Sequence, residues 1–484
     1  MYNIIYFTKE RTGYMLEKFI EENKEKIIKD LQGLIQIPSY YSKSNNPQYP
    51  FGENINKALE YTLDLGQSLG FRAKNIDGYC GYIEFGEGDE LVGIIGHLDV
   101  VPEGEDWTYP PFSGTISDGY IYGRGAIDDK GPVISSLYAM KYVMETTKIK
   151  KRVRLILGLN EERDWDCIKY YKAHEEIPSI GFSPDADFPC IYAEKAVLTQ
   201  EIKADISQFK NLDIKIADID CNNNATNVVP KICSVVLSIN TDKIKTEDFI
   251  NNLKSIIEET NFEIDIYKID NEEIKLTSHG ISAHAAHPDL GINSISRLII
   301  ILDKIFKVYG YTIDLFDFFT KYIGLQFDGK NLGIEFEDES GKLTLNVGYF
   351  GIENGFMKIK MNLRVPVHTD ITKIGATFIK ATCEYINLDF DTSHYMPALY
   401  INPDSSLVQS LCRIYNEETN SNCKPIAIGG ATFARAFPNC VSFGANFPGD
   451  KDMCHQTDEF INIDKLLLAC KIYAKAILFL ANRD

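Results

Sequence analysis

The apolar run Val153-Arg-Leu-Ile-Leu-Gly-Leu159 stops at Asn160-Glu161-Glu162, and an earlier one, Leu91-Val-Gly-Ile-Ile95, passes through Gly96 into His97-Leu-Asp99. Between and around such strand-like runs lie helical patterns. Leu16, Phe19, Ile20, Ile27, Ile28, Leu31 and Leu34 recur at helical spacing over residues 14–37, and Pro38 ends the pattern. A second helix is expected over 51–70. A third opens at Pro132, where the missing N–H of proline costs nothing, and runs to about Glu145. Strands alternating with helices predict an α/β layer, a mostly parallel sheet flanked by helices. Residues 81–85 and 91–95, joined by the GEGDE turn, read as a strand pair within it.

At 484 residues the chain exceeds one simple core. After about Leu198 the texture changes: strands 232–239, 342–350 and 356–365 alternate with helices 247–259, 292–308 and 371–386. Helices are fewer per strand there, as in an α+β domain with an antiparallel sheet. Amphipathic helices return at 405–418 and 464–480. The expected partition is a discontinuous catalytic domain, 1–198 plus 399–484, with an inserted α+β domain at 199–398.

The formal net charge of −19 repels phosphate backbones and disfavours nucleic-acid partners. No apolar stretch reaches the ~20 residues that span a bilayer, so no membrane partner is expected. The eleven scattered cysteines form no CxxC pair and suggest free thiols. With no signal-peptide pattern at the start, the chain reads as cytoplasmic.

Acids and histidines gather where strands end. His97 and Asp99, two apart on an extended chain, project from one face. The glycine-rich loop Tyr122-Gly-Arg-Gly-Ala-Ile-Asp-Asp-Lys-Gly131 holds Asp128 and Asp129. Glu161 and Glu162 follow the strand at 153–159, Asp185 and Asp187 lie in Phe182-Ser-Pro-Asp-Ala-Asp-Phe-Pro189, and His455 precedes the last helix in Met453-Cys-His-Gln-Thr-Asp-Glu-Phe460. Singly, each has an ordinary reading as a solvated turn acid, a helix cap or a core histidine. Jointly they would meet at the carboxyl edge of the sheet, where open α/β folds bind ligands. Two histidines and three carboxylates are the stock of a two-metal hydrolase, in which one carboxylate must bridge ions ~3.5–4 Å apart.

In that order, GHLDVVP, YGRGAIDDKG, LNEE, SPDADFP and MCHQTDEF resemble the di-zinc family that includes aminoacylase, carboxypeptidase G and bacterial dipeptidases, over nearly the whole chain. LGLNEERDWDCIKYY followed by GFSPDADFP is most similar to its PepV-type, carnosinase-like dipeptidases. The resemblance implies a zinc-exopeptidase-like fold in which the inserted domain is a lid. It also implies two divalent metal ions, zinc before manganese, and a short peptide as substrate. In this branch an enlarged lid stands in for a dimer partner, so a monomer is expected.

Carried over by residue, the resemblance makes Asp128 the bridging ligand, preceding a cis peptide bond to Asp129. His97 and Asp185 complete one metal set, and Glu162 and His455 the other. Asp99 accepts from the non-coordinating nitrogen of His97, fixing its tautomer. Glu161 is the general base for a metal-activated water. In the lid, Asn227 of ATNVVP, His284 of HGISAHAAHP and Arg364 of MNLRVPV match substrate-binding positions. Arg364 would clamp the substrate carboxylate, while His284 or Asn227 stabilises the oxyanion. Gly429-Gly-Ala-Thr-Phe-Ala-Arg435 is similar to a GGGTYAR loop lining the carboxylate pocket; Gly430 and Ala431 belong to it, with Ala431 where a third glycine is usual. Lys130 is expected to be structural.

The leading expectation is metal-dependent hydrolysis of dipeptides, Xaa-Xaa or Xaa-His. The alternatives are an N-acyl-amino-acid deacylase or desuccinylase with the same ligands, or a non-catalytic peptide-binding relative. The intact Glu161 argues against the last.

Overall fold

A computed structural model describes residues 2–221 and 225–483. It divides into two compact units: Met1–Ala193 with Leu399–Ile426 and Thr432–Asp484, and Glu194–Ala398 with Ala427–Ala431.

The first unit is built on one mixed sheet. Its centre is parallel: Leu91–His97 lies between Arg152–Gly158 and Ile180–Ser183, and Cys440–Ser442 follows beside the latter. Every residue of Leu91–His97 is buried, as a central strand covered on both faces requires. Antiparallel strands extend the edges, with Cys80–Phe85 on Arg152–Gly158 and Arg72–Ile76 outside it. The expected pairing of 81–85 with 91–95 is therefore corrected, because Arg152–Gly158 is inserted between them. In that position Arg152–Gly158 is hydrogen-bonded along both edges, and every residue from Val153 to Gly158 is buried. Helices Tyr2–Ile35, Lys130–Thr146 and Ile463–Asn482 complete the layer; Leu137, Ile472 and Ile477 are fully buried.

The second unit is α+β. One antiparallel sheet orders Thr344–Glu353, Phe356–Val365, Ala196–Asp205 and Asp389–Met396; another orders Ile214–Asp220, Ile232–Ile239, Glu273–His279 and Ile264–Lys268. Helices Thr246–Thr260, Ser294–Val308 and Ile371–Thr382 pack on a continuous core that includes Phe249, Leu298 and Phe378. Cys221 and Cys233 form a disulfide, contrary to the expectation of free thiols throughout; the antiparallel register sets the flanking Asp220 opposite Ser234 and so brings the two cysteines together. Nine other cysteines are free. Among the described residues no helix is long and apolar enough to cross a membrane.

Candidate metal centre

The parallel register that sets His97 beside Gly158 also sets the two chain segments beyond these strands side by side. His97, at the end of its strand, is fully buried. Its Nε2 lies 3.0 Å from Asp128 Oδ1 and 3.6 Å from Asp185 Oδ2. The other oxygen of Asp128 lies 3.2 Å from His455 Nε2, which is itself 3.1 Å from Glu162. Ligand atoms of His97, Asp128 and Glu162, and of His97, Glu161 and Asp185, lie within 4.8 Å of one another. The structure thus brings together His97, Asp128, Glu161, Glu162, Asp185 and His455, with Asp128 between the two imidazoles. The Asp128–Asp129 peptide bond is cis.

Asp99 differs from expectation. His97 Nδ1 is 2.9 Å from the main-chain oxygen of Asp99 but 3.5 Å from its carboxylate Oδ1. The carboxylate instead accepts the N–H groups of Glu161 and Glu162, each at 3.1 Å. Residues just beyond one strand end thereby hold those beyond its parallel neighbour, and Asp99 orients the glutamate pair as well as the imidazole. Asp129, to which no motif assigns a role, accepts the main-chain N–H of His97 at 3.1 Å. A Cβ on Gly96 would come within 2.7 Å of that carboxylate oxygen, so only glycine leaves room for it. Lys130 is buried and donates to the carbonyl of Ile37 at 2.8 Å, a structural role as expected.

Four half-buried carboxylates face two imidazoles, that of His97 buried and that of His455 partly open to solvent, and the charges act on one another. Burial would lower the pKa of His455, but Glu162 and Asp128 push it up to about 12. Burial likewise opposes the charge on His97, yet Asp185, Asp128 and Asp99 hold its pKa well above the ordinary value. Burial would raise Asp128, but the two histidines hold it below the usual carboxylate range. Burial pushes Glu161 well up and Asp185 up to about 6. Such a cluster stabilises positive charge. Its donors fit divalent cations: zinc takes imidazole and carboxylate ligands at ~2.0–2.2 Å, which spaces ligand atoms by a little over ~3 Å.

Within the second unit the lid candidates also meet. Val228 bridges His284, and Ala285 donates to the carbonyl of Asn227 at 2.8 Å. Asn346 Nδ2 donates to the carbonyls of both Thr226 and Val228 at 2.9 Å, gripping the chain on either side of Asn227. Arg364 is buried, its Nε on Asn362 Oδ1 and its Nη1 on the carbonyl of Gly429, both at 2.9 Å. Gly429 packs against Ala286, where a Cβ would approach to 2.7 Å, and Gly430 and Ala431 follow it.

A sheet with a parallel centre whose strand ends carry an imidazole–carboxylate cluster is the arrangement a metal-dependent hydrolase uses. The sequence profile of peptidase family M20/M25/M40 matches residues 93–478, and the chain belongs to that family. It is 34% identical over 480 residues to the Beta-Ala-Xaa dipeptidase of Lactobacillus delbrueckii subsp. lactis, covering 95% of this chain and 97% of that one. YtjP of Bacillus subtilis (strain 168), itself named only as a candidate dipeptidase, is 36% identical over 473 residues, 95% of this chain and 98% of its own. Human carnosine dipeptidase 1 shares the fold, with a TM-score of 0.58 at 15% identity over 96% of this chain and 99% of that one.

Proposed function

We propose that the chain is a two-zinc dipeptidase that hydrolyses short peptides bearing a free amino end. The observation that carries this reading is the placement of Asp128, one oxygen on each imidazole, with Glu161 in the same cluster. Asp128 would be shared by both cations, His97 and Asp185 would complete one ligand set, and Glu162 and His455 the other. Two divalent cations held there supply Lewis acidity toward a peptide carbonyl and lower the pKa of an attacking water.

The chain's own residues do the rest. The Glu161 carboxylate takes a proton from the attacking water and returns it to the departing amine nitrogen. Burial raises its pKa toward the range in which a carboxylate serves as a general base near neutrality. Asp99 holds the main chain of Glu161 and Glu162, so acid–base and ligand roles fall on adjacent, separately aimed side chains. In the second unit, which we read as the lid, Arg364 binds the substrate's terminal carboxylate. Asn227 or His284 donates to the developing oxyanion, and Gly430 and Ala431 line the carboxylate pocket. The two four-stranded sheets of this unit support an enlarged lid and a monomer. Nine of the eleven cysteines are free, which supports a cytoplasmic setting, and the Cys221–Cys233 disulfide is the one departure from it.

Turnover of Xaa-His, Xaa-Leu and β-Ala-Xaa dipeptides, before and after chelation and with zinc or manganese restored, tests the reading. Dipeptide cleavage that needs the metal and a free amine is expected. Cleavage of N-acyl amino acids in preference would identify a deacylase, and two bound metals without any hydrolysis a binding protein.

A further inference from the structure

Glu459 is completely buried and takes no part in the proposed hydrolysis. Its Oε1 accepts the main-chain N–H groups of Ile127 and Asp128 at 2.9 and 3.2 Å. Its Oε2 accepts the N–H of Gly125 at 2.9 Å and Nη1 of Arg124 at 2.8 Å. One carboxylate therefore gathers four donors from the loop that carries Asp128, while itself lying four residues after His455 in sequence.

Arg124, also buried, closes the arrangement. Its Nη1 reaches the carbonyl of Gln456 at 3.2 Å, and its Nη2 those of His455 and Glu103 at 3.4 and 3.2 Å. The segment ending at Glu103 continues from the strand that ends at His97 and carries Asp99. Three separate stretches of chain, each bearing groups of the cluster, thus converge on a single ion pair. The strand pairing of Phe460–Asn462 with Tyr120–Tyr122 runs directly into it, and Gly123 donates to the Glu459 carbonyl at 2.9 Å.

We infer that Glu459, clasped by Arg124, is a positioning residue that sets the distance between Asp128 and His455 and so the affinity of the metal those two share. The inference rests on the two-metal reading above. A buried ion pair is a poor device for stability alone, because desolvation offsets the attraction. Its main-chain partners instead hold the backbone of Asp128 and of His455, neither of which lies in a helix or strand. A fixed pair of ligands binds a cation more tightly than two loops that must first be ordered around it.

Zinc affinities of the wild-type chain, Glu459→Gln, Arg124→Lys and Glu84→Gln, by competition with a chromophoric chelator, test this, together with the visible spectrum of each cobalt-loaded protein. Glu459→Gln puts an amide N–H against main-chain N–H groups. Its weaker zinc is expected to bind ~10–100-fold less tightly, with an altered cobalt spectrum. Arg124→Lys, which keeps the charge but loses carbonyl contacts, shifts the same way and carries the test if Glu459→Gln does not fold. Glu84→Gln breaks a different buried pair and is expected to keep wild-type affinities, separating positioning from general destabilisation. Wild-type affinities and spectra in both Glu459→Gln and Arg124→Lys would overturn the inference alone. A wild-type chain that binds no second zinc would overturn the two-metal reading, and this inference with it.

Discussion

Asp128 turns Oδ2 to His455 Nε2 at 3.2 Å while its Oδ1 stays 3.0 Å from His97. One carboxylate thereby joins imidazoles from opposite ends of the chain. Replacing it by asparagine leaves the shape and removes the charge that two neighbouring cations require. Asp128→Asn is expected to lose at least one of two bound zincs and more activity than the ~100-fold typical of an outer partner. Metal content by elemental analysis, beside kcat, checks this; two zincs retained at full occupancy would refute the bridging role.

Glu161 shares the cluster, and the proposed division makes it the proton carrier rather than a ligand. Glu161→Gln should therefore keep both metals while kcat falls ~10²–10⁴-fold. Near-normal turnover would show that the proton travels by another group.

Arg364 presents a guanidinium already anchored on Asn362 and on the Gly429 carbonyl. A lysine cannot keep both contacts and still offer a planar fork to a carboxylate. Arg364→Lys is expected to raise KM for dipeptides ~10–100-fold, the equivalent of one charge-assisted hydrogen bond, with a smaller change in kcat. Dipeptide amides, lacking the carboxylate, should be equally poor substrates of both proteins. A preserved KM for the free acids would exclude the clamp.

Glu84 is buried against Arg154, whose Nη2 and Nε lie 2.6 and 2.7 Å from its Oε2. Burial would raise the Glu84 pKa, but Arg154, with Arg72 and Arg152, holds it below the ordinary value. A carboxyl depressed in the folded state contributes stability above its unfolded pKa of ~4.3, and that contribution is lost as pH falls through the folded value. Glu84→Gln should cost about 3 kcal/mol at pH 7 by removing the nearer counter-charge of the buried Arg154 and leaving it only Glu175, at 3.6 Å. The gap between variant and wild type should narrow below about pH 4. Denaturant titrations at pH 7 and pH 3.5 measure both; a gap that widens in acid would contradict the pairing.

Much of the architecture is legible in the amino-acid sequence. Apolar runs such as 153–159 and the helical spacing from Leu16 to Leu34 are local patterns, and local backbone periodicity is what a linear chain records. The candidate residues are legible for the same reason: His97, Asp128, Glu162 and Asp185 each stand in a short polar motif at a strand end or loop. The neighbours a strand takes are not local. Nothing near 81–85 announces that Arg152–Gly158, rather than Leu91–His97, lies beside it.

The same boundary runs through the site. By itself the sequence determined which acids and histidines gather at strand ends and that a second domain interrupts the first, while the roles of metal ligand, proton carrier and lid came only with the family resemblance its motifs carry. Only the tertiary structure decided that the Asp99 carboxylate grips the Glu161 and Glu162 main chain, that Asp129 fits beside Gly96, and that Arg124 and Glu459 tie three segments together. The physical reason is distance along the chain. A hydrogen bond of about 3 Å between residues tens to hundreds of positions apart depends on how the intervening elements pack, and no short window of sequence contains that information.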